Sequence, residues 1–267
     1  KKMDLDLSGK TVIVTGGGSN IGRAVSLTFA KEGSNVVIAE LDEVQGKKVA
    51  DEANALGAGD RAMVIKTDIT DIANVEAMIK KTIEEFEKID VLVNVVGWDF
   101  LLFFTDTDPD FWDRVININY RGMLNCTKSV LPHMIEKKSG NIVSIGSDAG
   151  RVGEVREAVY SGCKGAVIAF SKSVAREVGR YGIRLNVVCP GLTVPESDDE
   201  FGEESMWVMG KPAFTSEMKG KAAKGYALRK LTTPQDIANA VVFLSSDAVA
   251  GDITGQTLSV SGGYSMV

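Results

Sequence analysis

Short, almost wholly apolar runs recur along this chain, and longer stretches with helical spacing separate them. The runs are rich in valine and isoleucine and do not alternate with polar residues, which is typical of strands buried on both faces of a parallel sheet. Seven runs of this kind lie at 11–15, 35–39, 62–66, 91–96, 141–145, 184–188 and 257–260. Helices are predicted between them, for example over 71–86, 110–135 and 159–181. The alternation predicts an α/β fold, a doubly wound seven-stranded parallel sheet with helices on both faces.

The strand and helix pattern has one break, at about 192–225, and no linker that would divide residues 1–267 into two domains. This segment follows the sixth strand, where doubly wound folds bind their substrates, and we interpret it as a substrate lid. The alternative is a surface excursion with a few core contacts. Its acidic residues are Glu196, Asp198, Asp199, Glu200, Glu203 and Glu204, and its large apolar residues are Met206, Trp207, Met209, Phe214 and Met218.

Histidine and cysteine content limits the chemistry of the chain. His133 is the one histidine, so a zinc site built from two or three imidazoles is impossible. The cysteines Cys126, Cys163 and Cys189 lie too far apart for a paired-cysteine motif. We therefore expect no metal. The odd number of cysteines, with no apolar leader and no apolar run near 18 residues, predicts a reduced, cytoplasmic protein.

The formal net charge of −6 argues against two classes of partner. Nucleic acids and anionic membranes bind clustered lysine and arginine, whereas the basic residues here are scattered along the chain. We therefore expect neither nucleic acid nor membrane as a partner.

A glycine-rich turn, Gly16-Gly17-Gly18 followed by Gly22, joins the first strand to a helix. Such a turn directs backbone N–H groups and the positive end of a helix dipole at one point, which suits a dinucleotide pyrophosphate. Glu40 ends the second strand about 20 residues further on, where a carboxylate can bind ribose hydroxyls and repel a 2′-phosphate. This favours NAD over NADP. The alternative is that Glu40 is a solvated charge.

Tyr160 and Lys164 lie four residues apart, on one face of a predicted helix. A neighbouring ammonium favours the phenolate form of a tyrosine, so this pair predicts a phenol tuned for proton transfer. Taken alone, the pair is also compatible with an ordinary helix-surface contact.

Together these motifs resemble the short-chain dehydrogenase/reductase family over nearly the whole chain. The matching residues are the turn from Thr15 to Gly22, Asp68, Asn94 to Gly97, Asn119, Ser147 thirteen residues before Tyr160, Lys164, and Pro190-Gly191. The resemblance implies a single-domain Rossmann fold and a secondary-alcohol dehydrogenase. It makes Tyr160 the acid/base and Ser147 the residue that positions the substrate oxygen. Lys164 would bind the nicotinamide ribose and lower the Tyr160 pKa, and Asn119 would support Lys164 through a water.

The resemblance also implies a set of cofactor contacts. They are Gly16, Ser19, Asn20, Ile21 and Gly22 at the phosphates, Glu40 at the ribose, Asp68 and Ile69 at the adenine, Asn94 and Gly97 below the adenosine, and Tyr160, Lys164, Val188, Pro190, Gly191 and Thr193 toward the nicotinamide. This chain has Asn20 where the family usually has glycine, and asparagine tolerates left-handed backbone. Val95 and Val96 stand where the family has a polar and a small residue.

On the substrate side the candidates are less specific. They are Trp98, Asp99, Asp148, Arg151, Val152, Arg156, Met206, Trp207 and Met209. The chain looks similar to the branch that oxidises 2-hydroxycyclohexanecarboxyl-CoA and related cyclic or aromatic hydroxyacyl-CoA thioesters, whose phosphates Arg151 and Arg156 would bind. Alternatives are a 3-oxoacyl thioester reductase, a free cyclic-alcohol dehydrogenase, and a catalytically silent partner subunit. The family resemblance further implies a homotetramer.

Overall fold

The computed structural model describes residues 4–56, 61–195, 197, 200–210 and 215–267, without the side chains of residues 209 and 210. Its strands form one parallel sheet in the order β3-β2-β1-β4-β5-β6-β7, which confirms the predicted doubly wound fold. The strands are β1 (Thr11–Thr15), β2 (Asn35–Glu40), β3 (Ala62–Lys66), β4 (Val91–Asn94), β5 (Gly140–Ile145), β6 (Ile183–Pro190) and β7 (Thr257–Val260).

Helices connect the strands and cover both faces of the sheet. They are α1 (Asn20–Lys31), α2 (Glu43–Ala55), α3 (Ile72–Phe86), α4 (Pro109–Ile116), α5 (Gly122–Lys137), α6 (Ala149–Val152), α7 (Ala158–Val178), α8 (Met206–Gly210), α9 (Ser216–Ala223), α10 (Pro234–Ser245) and α11 (Asp247–Ala250). α1, α2 and α10 pack on one face, whereas α3, α5 and α7 pack on the other. Within the described ranges, none of these helices has both the length and the apolarity needed to cross a bilayer.

β1 shows why its sequence does not alternate between apolar and polar residues. Val12 and Val14 face the α1 and α10 side of the sheet, whereas Ile13 faces the α3 and α5 side. All three side chains are fully buried. Each contributes about 1.5–3 kcal/mol through removal of apolar surface from water. Both faces of the central strand therefore need apolar side chains.

The single helix predicted over 110–135 is wrong in one respect, because a π-helical turn at Asn117–Arg121 separates α4 from α5. The Asn119 side chain explains the interruption. Its Nδ2 donates to the Val115 carbonyl at 2.9 Å and to the Trp98 carbonyl at 2.6 Å. Turns of this kind often occur at functional sites, and this one directs Asn119 toward the loop after β4.

β4 ends at Asn94, two residues earlier than the apolar run predicts. At this point the Thr15 hydroxyl, at the end of β1, accepts a hydrogen bond from the Val95 N–H at 3.0 Å. β1 pairs with both β2 and β4, so successive strands join the sheet on one side of β1 up to β3 and on its other side from β4 onward. The resulting crevice at the carboxyl ends of the strands is where doubly wound folds bind ligands.

Candidate active site

The turn after β1 uses backbone geometry that side chains restrict. Gly16 has a φ of +64°, and its N–H donates to the Ala39 carbonyl at 2.7 Å. A Cβ at Gly22 would lie 1.9 Å from the Gly16 carbonyl oxygen, so only glycine fits there. Asn20 has a φ of +44°, a conformation that asparagine tolerates. The turn is therefore a tight cradle of the kind that holds a pyrophosphate.

Three side chains hold this turn in place. Glu40 Oε2 accepts a hydrogen bond from the Gly18 N–H at 3.0 Å, and Gln45 Nε2 donates to the Gly18 carbonyl at 2.8 Å. Ser26 Oγ donates to the Gly17 carbonyl at 3.0 Å. Burial raises the pKa of Glu40, with hydrogen bonds from backbone N–H groups acting in the opposite direction. The sequence pattern does not predict Gln45 or Ser26 at the turn, because no spacing rule marks either residue.

Within the predicted substrate lid, Gly202 lies at this turn. The Gly202 N–H donates to Ser19 Oγ at 3.4 Å. A Cβ at Gly202 would overlap the side chains of Asp42 and Gln45, at the start of α2. Residues Glu196, Asp198, Asp199 and Phe214 and the side chain of Met209 lie outside the described residues. Trp207 is half-buried on the short helix α8.

Several of the residues predicted to contact the cofactor form hydrogen bonds or pack within the protein. Asp68 Oδ1 accepts hydrogen bonds from the N–H and the hydroxyl of Thr70, at 2.9 and 2.7 Å. Ile69 is buried in the core on the α3 and α5 side of the sheet. Asn94 Nδ2 donates to Ser144 Oγ at 3.2 Å, so this amide points into the protein. Ile21 remains half-buried at the start of α1.

Among the predicted cofactor contacts, Val188 turns its side chain into the core. Val188 lies inside β6 and is 0% exposed in the core on the α1 and α10 side, so its side chain has no free surface. The residues after it do reach the crevice edge. The Thr193 carbonyl accepts from Asn20 Nδ2 at 3.4 Å, which connects the segment after β6 to the glycine turn. The Pro190 carbonyl accepts from the Asp148 N–H at 3.0 Å, and the Gly191 N–H donates to the Val260 carbonyl at 3.4 Å.

Lys164 is a buried cation at the carboxyl end of β5. Its side chain is 2% exposed, and Nζ donates to the Ile145 carbonyl at 2.9 Å. Nζ lies 5.4 Å from the centroid of the Tyr160 ring and 3.4 Å from where a Cβ on Gly97 would lie. Burial lowers the pKa of Lys164 to about 8, because the interior disfavours the ammonium form.

Asn119 is fixed by the loop after β4. Its Oδ1 accepts from the Trp98 N–H at 3.1 Å, while its Nδ2 donates to the Trp98 carbonyl. Asn119, Lys164 and Asn94 line a small cavity between the sheet and helices α5 and α7. Asn94 Oδ1 has no hydrogen-bond partner among the described residues. The cavity has room for about one water molecule with polar groups around it.

The resemblance implies that Lys164 lowers the pKa of Tyr160, but in the structure this pKa is raised. Burial raises the pKa of the Tyr160 phenol, and the carboxylates of Glu157 and Asp99 raise it further. A hydrogen bond with Ser147 acts in the opposite direction. Lys164 lies beside the face of the Tyr160 ring, so in this geometry burial and the two negative charges determine the shift.

Two carboxyl groups beside Tyr160 have unusual acidities. Burial raises the pKa of Asp99 to about 6, and Asp99 Oδ2 has no hydrogen-bond partner among the described residues. Burial raises the pKa of Glu157 to about 7, with the Asp99 and Glu154 charges contributing in the same direction. The surroundings of Tyr160 are therefore acidic.

Each of the two predicted CoA-binding arginines has a partner within the protein. Arg151 pairs with Asp148, Nη1 to Oδ1 at 3.6 Å, and Asp148 Oδ2 accepts from Ser259 Oγ at 2.7 Å. Arg156 adopts a left-handed φ of +71° and donates from Nη2 to the Leu101 carbonyl at 2.6 Å. The Arg151 guanidinium therefore pairs within its own helical turn, whereas the Arg156 guanidinium joins its loop to the loop after β4.

Trp98, a predicted substrate contact, packs against α4. Its ring lies 5.8 Å from Phe111 between centroids, and the Arg114 guanidinium lies over it at 4.2 Å. Val152, at the end of α6, is 50% exposed. Trp98 is thus held rigidly beside Asn119, with half-buried surface left toward the crevice.

Comparisons with known proteins agree on one family. The model of the short chain dehydrogenase family matches residues 10–205. Subunit BbsD of a hydroxy(phenyl)methylsuccinyl-CoA dehydrogenase from Thauera aromatica is 34% identical over 262 residues, covering 98% of this chain and 99% of that protein. The 3-oxoacyl-acyl-carrier-protein reductase FabG of Staphylococcus aureus strain Mu50 is 35% identical over 258 residues, covering 96% and 98% respectively.

A solved structure shows the same fold. A 7α-hydroxysteroid dehydrogenase in complex with NADH and 7-oxo glycochenodeoxycholic acid superposes with a TM-score of 0.87 at 30% identity. The match covers 97% of this chain and 96% of that one.

The acidity of Glu157 predicts a pH-dependent stability difference. Its pKa is about 7 in the folded chain against 4.5 ordinarily, so the folded state binds more protons between these values and loses stability as pH rises through them. We expect Glu157→Gln to increase the free energy of unfolding by about 1–2 kcal/mol at pH 8, allowing for solvent screening, and by almost nothing near pH 4.5. Urea denaturation at both pH values measures this.

Asp113→Asn is the matched control, since Asp113 is an exposed acid on α4. Its effect should be the same at both pH values. A Glu157→Gln effect that does not vary with pH would contradict the proposed burial of the charge.

Proposed function

The chain belongs to the short chain dehydrogenase family, and from this membership we propose that it is an NAD-dependent oxidoreductase that interconverts a secondary alcohol and a ketone. The observation that carries the proposal is the convergence of Ser147, Tyr160, Lys164 and Asn119 at the carboxyl edge of the sheet, next to the glycine turn. When bound, a nicotinamide cofactor accepts or donates the hydride. The cradle around Gly16 and Gly22 fits its pyrophosphate.

In the proposed mechanism, Tyr160 exchanges a proton with the substrate oxygen, and Ser147 holds that oxygen by a hydrogen bond. Burial favours the protonated phenol of Tyr160, which suits a general acid in ketone reduction. Alcohol oxidation requires the phenolate, and the ammonium of Lys164 supplies a positive charge beside the ring. The reaction therefore depends on the balance between the Lys164 charge and the two nearby carboxylates.

Lys164 also has a route for proton exchange. It shares a small cavity with Asn119, whose side chain is held by the Trp98 backbone. A water in this cavity would connect the Lys164 ammonium to the polar groups of the π-helical turn. We propose that Asn119 positions this water, which is the role that the family resemblance implies for it.

The preference for NAD is proposed from Glu40. Its carboxylate is held at the end of β2 by N–H groups of Gly18 and Leu41, at 3.0 and 2.9 Å. A fixed negative charge at this place attracts ribose hydroxyls and repels a 2′-phosphate. Lys66, its neighbour across the β2–β3 pair, lies 3.8 Å from Glu43 and is partly neutralised by it.

For the substrate we propose a hydroxyacyl-CoA with a cyclic or aromatic acyl group. The names of two relatives support acyl thioesters, one a hydroxy(phenyl)methylsuccinyl-CoA dehydrogenase subunit and the other a 3-oxoacyl-acyl-carrier-protein reductase. A 3-oxoacyl thioester reductase and a dehydrogenase of a free cyclic alcohol remain the alternatives, and the 7α-hydroxysteroid dehydrogenase structure favours the second of these. The intact set of Ser147, Tyr160, Lys164 and Asn119 argues against a silent subunit.

We also propose a homotetramer, in which α5 and α7 meet a second copy. Gly162 on α7 has open space where a Cβ would lie, and Ala158 and Ala169 are exposed. Small residues on an open helix face allow close packing. The cytoplasmic location stays a prediction from the odd number of cysteines, all three of which are free.

Removal of the Tyr160 hydroxyl tests the mechanism. We expect Tyr160→Phe to lower kcat by about a thousandfold, because the phenol transfers the proton, and to change the NAD dissociation constant by less than about threefold. Stopped-flow NADH formation and fluorescence titration measure the two quantities. Tyr181→Phe, the same chemical change beyond α7, should leave both unchanged. A kcat of Tyr160→Phe equal to that of the unmodified protein would contradict the mechanism.

Removal of the Glu40 charge tests cofactor choice. We expect the unmodified protein to prefer NAD over NADP in kcat/KM, and Glu40→Gln to reduce that ratio by about tenfold, since the amide keeps a hydrogen-bond acceptor but loses the charge. Glu76→Gln, an exposed change on α3, serves as the control. Equal use of the two cofactors by the unmodified protein would refute the assignment of Glu40.

A substrate panel tests the proposed substrate class. NADH formation should be fastest, in kcat/KM, with 2-hydroxycyclohexanecarboxyl-CoA or a related cyclic hydroxyacyl-CoA, and slower with linear 3-hydroxyacyl thioesters and simple cyclic alcohols. A preference for either of the last two groups would support the corresponding alternative. No turnover of any secondary alcohol would support the silent subunit.

A further inference from the structure

Two carboxyl groups beside Tyr160 act on its phenol in the mechanism above, which assigns them no effect on the substrate. Asp99 is 8% exposed, and its Oδ2 has no hydrogen-bond partner among the described residues. Glu157 is half-buried at the N-cap position of α7, where its side chain does not cap the helix. Both charges act on the Tyr160 phenol. A buried carboxyl oxygen without a partner is costly, so its retention at a reacting group calls for a functional explanation.

The backbone fixes both groups at the crevice. Glu157 is the residue immediately before α7, three residues before Tyr160. Asp99 follows Trp98, whose N–H and carbonyl are bound by the Asn119 side chain. The loops that carry the two acids are joined through Arg156, whose carbonyl accepts from the Leu102 N–H at 3.1 Å.

The cations nearby are engaged by other groups. Arg156 donates to the Leu101 carbonyl and lies 5.5 Å from the Phe103 ring centroid, and Arg114 lies over the Trp98 ring. Lys164 donates to the Ile145 carbonyl. Over the ranges that the structure describes, neither Asp99 nor Glu157 has a cationic partner, and Glu154 adds a further negative charge beside Glu157.

We propose that Asp99 and Glu157 are specificity-determining residues that exclude substrates with a free carboxylate beside the reacting carbinol and admit uncharged acyl groups such as thioesters. This inference rests on the proposed function, because it concerns the substrate of the same site. A hydroxy acid would bring a third negative charge to two that are partly buried, where Coulomb repulsion is weakly screened. An ester or thioester of the same acid brings none.

The experiment compares 2-hydroxycyclohexanecarboxylic acid with its methyl ester at pH 8.5, where both carboxyl groups are ionised. The two compounds share the ring and the carbinol and differ in charge. The unmodified protein should prefer the ester in kcat/KM by roughly a hundredfold, and Asp99→Asn or Glu157→Gln should each raise kcat/KM for the acid relative to the ester. Because both charges also raise the pKa of the Tyr160 phenol, each variant changes proton transfer for the acid and the ester alike, so the quantity compared is the ester-to-acid ratio, which should fall by roughly tenfold.

Asp113→Asn is the control for net charge, since this exposed acid on α4 lies outside the site. It should leave the ester-to-acid ratio unchanged. Calorimetry of both compounds binding to the NADH-saturated protein gives the same ester-to-acid comparison without turnover. If Asp99→Asn folds poorly, Glu157→Gln alone provides the test in both measurements.

The outcomes separate this inference from the proposed function. If the ester-to-acid ratios of Asp99→Asn and Glu157→Gln stay within twofold of the ratio of the unmodified protein, the inference is overturned. Oxidation of the ester would still support the proposed function. Equal use of acid and ester by the unmodified protein would also overturn it. If no compound is oxidised, the proposed function fails, and the calorimetric ratio still decides whether the two carboxyl groups discriminate against the acid.

Discussion

The parallel sheet buried on both faces is the constraint on which the rest of this structure depends. Since β1 pairs in parallel with β2 and β4, every connection must cross the sheet, and the carboxyl ends of the strands meet at one edge. The glycine turn after β1, the loop after β4 and the segment after β6 therefore lie together. The residues of these loops can be varied while the valines and isoleucines beneath them hold the edge in place.

At that edge the protein keeps charges that its interior disfavours. Lys164 is buried against a single carbonyl, and its pKa falls to about 8, whereas the pKa of Glu157 rises to about 7. The common cause is removal of the ionised forms from water. These groups reduce the stability of the fold and place titratable side chains around Tyr160, as is common where proton transfer takes place. The acidic surroundings of Tyr160 oppose the effect of Lys164, so the family pattern of tyrosine and lysine alone does not determine the phenol pKa here.

The candidate site shows where reading the sequence succeeds. Asn20 was expected to keep the turn in spite of its side chain, and it adopts a φ of +44°. Asn119 was named as a positioning residue, but the π-helical turn that it occupies was not expected. A helical pattern of apolar residues does not reveal one inserted residue, because the side-chain bonds that stabilise it join Asn119 to Trp98, which is 21 residues away.

The sequence by itself determined the strands, the helices that cover the sheet and the motifs at the strand ends, because periodicity and short spacing are local properties. Only the tertiary structure decided where long or buried side chains point. Arg156 binds the Leu101 carbonyl, and Val188 turns into the core. Partners such as Asp148 and Ser259, or Ser19 and Gly202, are 111 and 183 residues apart. Their contacts arise from folding and burial, which no local pattern encodes.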